Sequence, residues 1–138
     1  MGITLHKSGT HPDARGDLGE SFFKYAIYPH ANGLGMDTVR RGYGFNYTPV
    51  LTDEKSLCVP FDFEGAESIV LETVKYGEDD GIVLRFYEAL GASGAIAFNT
   101  EGREITECNV LEDELQCLGK GSVSISFKPF EIKTIKIK

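Results

Sequence analysis

The sequence predicts an all-β fold, an antiparallel β-sandwich with little helix. Three observations carry the prediction. Val, Ile, Phe and Tyr gather in short runs, Gly, Asp and Asn separate those runs, and the runs recur at the spacing of sandwich strands. With 138 residues, 41% of them apolar and 25% charged, the chain can bury a core of its own.

In chain order, two runs near the start read as strands, Ile-Thr-Leu-His-Lys at 3 to 7 and Glu-Ser-Phe-Phe-Lys-Tyr-Ala-Ile-Tyr at 20 to 28. The second is apolar on both faces through Phe22, Phe23, Tyr25, Ile27 and Tyr28, the pattern of a strand buried between two layers. Residues 35 to 51 are too glycine-rich for a helix to be read there. Six further strands are expected at 68 to 76, 81 to 89, 94 to 99, 103 to 111, 122 to 127 and 131 to 138. Gly and Asp at 77 to 81 supply the positive φ and the Asx turn of a tight hairpin between the first two. Along the last strand the two-residue period slips at Thr134, which predicts a bulge. A boundary is expected near 58 to 67, dividing the chain into 1 to 60 and 61 to 138, because the first part alone has too few strands to bury much apolar area.

Several function classes lose support. A net charge of -7 spread along the chain offers no basic patch for phosphates, which argues against nucleic acid and against an anionic membrane. The sequence has neither an 18-residue apolar run nor a signal-peptide pattern, so a cytoplasmic protein, or a piece of one, is expected. Three cysteines, Cys58, Cys108 and Cys117, occur in no CxxC pair and read as reduced thiols, with Cys117 in a loop-like stretch and exposed. The nucleophile elbow, phosphate loop, dinucleotide fingerprint and HExxH motif are all absent.

The segment His11-Pro12-Asp13-Ala14-Arg15-Gly16-Asp17 concentrates polar chemistry. Zinc would use His6, His11, Asp13 and His30, but their spacing matches no established ligand pattern. Asp13, before a turn-forming stretch, reads instead as an Asx cap, and His30 after Pro29 as a packed, hydrogen-bonded ring. Glu20, Glu72, Asp79, Asp80, Glu88 and Glu112 offer carboxylate pairs for acid and base work, with nothing to place two of them in one cleft. Arg15 stands out, since a guanidinium in a glycine-flanked loop can fork two hydrogen bonds to a sugar diol or a carboxylate.

Taken in order, residues 11 to 30, 70 to 91, 105 to 113 and 128 to 138 resemble the C-terminal end of family 38 glycoside hydrolases, the zinc-dependent retaining α-mannosidases. The resemblance covers nearly the whole chain. It implies that residues 1 to 60 end a large β-sandwich, part of a larger supersandwich, and that 61 to 138 form a small C-terminal β-sandwich. It also implies that the N-terminal catalytic domain, its zinc and its nucleophile lie outside this chain. Asp13-Ala14-Arg15-Gly16 fits the family's Asp-x-Arg-Gly loop, so Arg15, with Asp13, is expected to contact an α-mannoside bound mainly by that missing catalytic domain. The chain alone is then expected to be inactive, structural and cleft-completing, with no cofactor of its own and an apolar face at 20 to 28 open to a homodimer. The competing reading is a free-standing carbohydrate-binding β-sandwich module, which needs exposed aromatics on one face; Tyr43, Phe45 and Tyr47 are the candidates. A third reading is a small metalloenzyme built on His6, His11 and His30.

Overall fold

A computed structural model describes residues 2–9, 11–31, 33–53, 59–78 and 81–138. Cys58, Asp79 and Asp80 lie outside these residues. The chain divides into two compact units, 1–31 and 32–138.

The second unit holds helix α1 (Met36–Asn46) and strands β1 (Asp62–Gly65), β2 (Ile69–Tyr76), β3 (Ile82–Glu88), β4 (Gly94–Cys108), β5 (Glu114–Phe127) and β6 (Ile132–Ile137). All the pairings are antiparallel, in the order β1-β4-β6-β3-β2 with β5 on the other side of β4. Strand β4 turns this one sheet into a sandwich: its first half pairs with β1 and its second half with β6, while β5 follows both halves.

The bend lies at Thr100–Arg103, where the register between β4 and β5 shifts and where Glu101 (φ 48°) and Gly102 (φ 88°) face Gly121 (φ 74°). The buried Thr100 hydroxyl donates to the carbonyl of Arg103 or Gly121, at 3.0 and 3.2 Å, and ties the corner together. Folding over at this corner brings Phe98 of β4 and Phe127 of β5 against Phe86 of β3, a strand to which neither is hydrogen-bonded. Phe63 of β1 completes the cluster, edge-on to Phe86 at 5.2 Å and 87°. Leu84, Ile96, Ile105, Ile125, Ile135 and Ile137 fill the space around the rings, all at most 3% exposed. The antiparallel β-sandwich expected from the spacing of the runs is the fold observed.

The individual elements depart from expectation in four places. The runs at 94 to 99 and 103 to 111 are one strand, because Gly102 bends β4 without ending it. The loop-like stretch around Cys117 is the first half of β5; its glycines Gly119 and Gly121 serve the bend, and Cys117 is exposed on the strand. Residues 36–46 are helical despite Gly42 and Gly44. Strand β6 carries no bulge, since it pairs in unbroken register with β3. It lies between β3 and β4, so Thr134, Ile135, Lys136 and Ile137 are buried in succession, and the alternation typical of a half-exposed strand is lost.

In the first unit, neither 3 to 7 nor 20 to 28 forms a strand. A strand exists only through its ladder, and among the described residues neither segment has a pairing partner. Phe22, Tyr25 and Ile27 are consequently exposed, Phe22 by 90%.

Candidate functional site

The polar segment of the first unit forms a hydrogen-bonded loop. The Asp13 carboxylate accepts the Arg15 N–H at 2.9 Å, making the Asx turn expected of it, and the Asp13 carbonyl accepts the Gly16 N–H at 3.1 Å. Leu18 N–H continues the loop onto the Arg15 carbonyl, and Asp17 N–H donates to the Ser8 hydroxyl, both at 3.1 Å. Gly16 has φ 44°, and a Cβ there would lie 2.7 Å from the Gly9 carbonyl oxygen, so the turn accepts glycine alone without moving its backbone.

These bonds hold the Arg15 backbone, while its side chain is exposed and makes no ion pair among the described residues. Arg15 lines a cavity of about 520 Å³ together with His6, Ser8, Asp17, Ser21 and Phe23. His6 packs on Phe23 at 5.9 Å, and His30 stacks on Tyr28 at 5.3 Å and 20°. Both rings are thus in aromatic contacts. Among the described residues no group of three or more His, Cys, Asp or Glu side chains is placed to hold a metal ion, so this chain's described residues do not fit a zinc site. Nothing in the spacing of the sequence pointed to Ser8 or Phe23 as neighbours of Arg15; the doubling back of the chain brings them there.

The candidate carboxylates of the second unit do structural work. Glu88 is 1% exposed and clips two turns together: it accepts N–H groups from Leu90 (3.1 Å) and Gly91 (2.7 Å) in the turn after β3, and from Phe130 (3.0 Å) in the turn before β6. Burial pushes its carboxyl up, but the N–H of Phe130, the Ser68 hydroxyl and the N–H groups of Leu90 and Ala92 outweigh this and bring it down to about 2. A carboxylate with that many fixed donors is an anchor, not an acid held ready to give up a proton.

Glu112 sits at φ 73° in the β4–β5 loop and pairs with Lys75 at 2.5 Å; Arg85 approaches it at 3.9 Å. The loop itself is organised by Asn109, whose side-chain oxygen accepts from Leu111 and Asp113 N–H groups. Lys133 pairs with Glu107, Arg85 Nε donates to Thr134, and Lys136 Nζ donates to the Glu112 carbonyl. Charge on this part of the sheet is therefore largely matched internally. Glu72 accepts from the Thr73 hydroxyl.

A third feature escaped the sequence reading. Tyr43, one of the candidate exposed aromatics, lies on helix α1, and its hydroxyl meets that of Tyr87 on β3 at 3.2 Å. That hydroxyl pair, and then burial, raise the Tyr43 pKa well above the usual phenol range. Tyr43 stacks on Tyr47 at 5.5 Å and 21°, one helical turn away, beside an open groove of about 730 Å³. The spacing of four residues would have revealed this stack had residues 36–46 been read as helix.

Comparison with known proteins agrees with this architecture. A family model described as the glycosyl hydrolases family 38 C-terminal beta sandwich domain matches residues 68–135, the stretch from the start of β2 into β6. An "Alpha-mannosidase" of Saccharomyces cerevisiae is 35% identical over 119 residues, covering 72% of this chain and 11% of that protein. "Alpha-mannosidase G" of Dictyostelium discoideum is 33% identical over 154 residues, covering 99% of this chain and 14% of its own length. "Alpha-mannosidase 2C1" of Mus musculus is 27% identical with similar coverage. The chain thus spans 11–14% of the length of these relatives. Among the described residues no helix is long and apolar enough to cross a membrane. A sandwich whose strands β2 to β6 carry the family match, and relatives that are α-mannosidases, together show that the chain belongs to glycosyl hydrolase family 38 as its C-terminal β-sandwich region.

Proposed function

We propose that this chain completes the substrate cleft of an α-mannosidase whose catalytic domain is a separate part of the protein, and that it turns over no substrate alone. The observation that carries the reading is the Arg15 loop: a backbone held by the Asp13 carboxylate and a guanidinium exposed beside a cavity. A guanidinium so presented can bridge two neighbouring sugar hydroxyls with two N–H donors. Asp13 acts on the sugar only through the position it imposes on Arg15.

In this reading residues 1–60 close a large β-sandwich against preceding chain, residues 61–138 are the small one, and the partner of the exposed face at 20–28 is the remainder of the enzyme. In the isolated chain the same face is open to a second copy. The reaction of the whole enzyme would be retaining hydrolysis, and its zinc would be held by residues of the catalytic domain. The exposed thiol of Cys117 supports a reducing, cytoplasmic setting.

Two assays test the reading. The chain supplied with zinc and an aryl α-mannoside is expected to release no phenol; clear turnover would sink the inactive-alone reading. In the complete enzyme, Arg15→Ala is expected to lower kcat/KM by roughly 10- to 100-fold, the loss of one or two charge-assisted hydrogen bonds. Arg15→Lys, which keeps the charge but not the fork, should recover only part of that loss. An unchanged kcat/KM in Arg15→Ala removes Arg15 from the cleft.

A further inference from the structure

We infer that the groove between helix α1 and the turn after β3 is a second carbohydrate site, one that takes the ring of a neutral hexopyranoside against the Tyr43–Tyr47 pair. Its volume of about 730 Å³ falls in the range of small-ligand pockets. None of the ten residues described along it carries a charge, although the chain as a whole has net charge -7. A groove without charge favours a neutral ligand over a phosphate, a carboxylate or a cation.

The lining combines the two surfaces that a sugar ring presents. Leu34, Val39 and Leu90 supply aliphatic wall, and the stacked tyrosines supply an aromatic platform for a face of ring C–H groups. Tyr47 is 65% exposed, and Tyr43 is fixed from behind by the Tyr87 hydroxyl, so the platform is both accessible and held. Thr38, with its hydroxyl, and Asn46 line the same groove. The Asn46 amide N–H already donates to the Gly42 carbonyl at 2.8 Å, which fixes that side chain and leaves its oxygen to accept a ring hydroxyl.

Gly42 is the most specific of these signs. Glycine inside a helix costs about 1 kcal/mol relative to alanine, and here no steric demand explains it: a Cβ would meet nothing within 4 Å, and its φ is ordinary. Gly42 lines the groove, and its missing side chain lets a ligand approach the helix backbone beside Tyr43. Gly44 is equally open but does not line the groove, so it serves as the control position.

The inference does not depend on the cleft-completing role of Arg15, and its test uses this chain alone. Methyl α-D-mannopyranoside and methyl α-D-glucopyranoside are titrated into the isotopically labelled protein, with backbone amide shifts as the readout. A saturable response to either sugar at residues 34–47 and 89–90 is expected. Gly42→Leu, which fills the groove floor with a better helix former, is expected to weaken binding at least tenfold with the melting temperature unchanged or raised. Tyr47→Ala should weaken it comparably, and Gly44→Ala should leave it within twofold. The site is overturned if neither sugar gives a saturable response up to about 50 mM, well beyond millimolar affinity. It is equally overturned if Gly42→Leu binds as the parent does, or if cyclohexanol produces the same shifts at the same concentration, since a merely apolar groove has no use for ring hydroxyls. Because binding and not turnover is followed, failure here leaves the mannosidase reading intact, and the failure of that reading leaves this site testable.

Discussion

Phe22 and Phe86 stand in runs of similar composition, Ser-Phe-Phe-Lys-Tyr-Ala-Ile-Tyr and Ile-Val-Leu-Arg-Phe-Tyr-Glu, yet one is 90% exposed and the other fully buried. The difference lies in what each run can pair with. Strand β3 has β2 on one side and β6 on the other, so its backbone polar groups are satisfied and its inward face meets Phe63, Phe98 and Phe127. Residues 20–28 have no ladder on either side among the described residues, and their rings stay outside. An apolar run measures a tendency to be buried; only a neighbouring strand converts that tendency into structure.

The contrast can be broken most severely at Phe86. Phe86→Ala removes the ring that three others pack against and should cost about 3–5 kcal/mol, seen as a large drop in denaturant midpoint. Phe22→Ser, a comparable loss of ring, should change stability by less than about 0.5 kcal/mol, because the residue is already in water. If Phe22→Ser unfolds the chain as Phe86→Ala does, the two regions do not differ as described.

Acid should act next, through Glu88 of the sandwich. The Glu88 carboxyl falls from the ordinary 4.5 to about 2 on folding, so the unfolded chain takes up the proton first. Its contribution to stability is complete above about pH 4.5 and is lost as pH falls toward 2. Melting temperatures between pH 6 and pH 2 should show this slope, and Glu88→Gln should lower the melting temperature at pH 6 while flattening that part of the profile. An identical slope in the variant would assign the acid sensitivity elsewhere.

The smallest effect is expected on the exposed charge pairs. Lys120 and Glu104 lie 3.4 Å apart across β4 and β5 with most of the lysine in solvent, and Lys120→Ala should cost less than about 1 kcal/mol and be indistinguishable from the parent in high salt. A larger loss that persists in salt would indicate that the bend beside it depends on Lys120.

How much was legible follows the same physics. The hairpin of β2 and β3 and the strand of β6 were readable because their signals, Gly and Asp in the turn and dense β-branched residues in the strands, act over a few residues. The Asx turn of Asp13 was readable for the same reason, as its acceptor and donor lie two residues apart. Helix α1 was missed because Gly42 and Gly44 lower helix propensity, and the groove that Gly42 borders went with it. Glycines in β5 read as loop, when Gly119 and Gly121 are the means by which a long strand turns a corner.

Composition and local pattern were sufficient for a β-rich sandwich, for most of its strands and for the turn that presents Arg15, because these depend on side-chain period and short-range hydrogen bonding. Which strand lies between which was settled only in three dimensions. The central place of β6 pairs residues 26 to 55 positions apart, the fate of Glu88 as an anchor rests on Phe130, 42 positions on, and Tyr43 meets Tyr87 across 44 positions. Such pairings pay their loop-closure entropy through the burial of the assembled core, and no short window of sequence contains both partners.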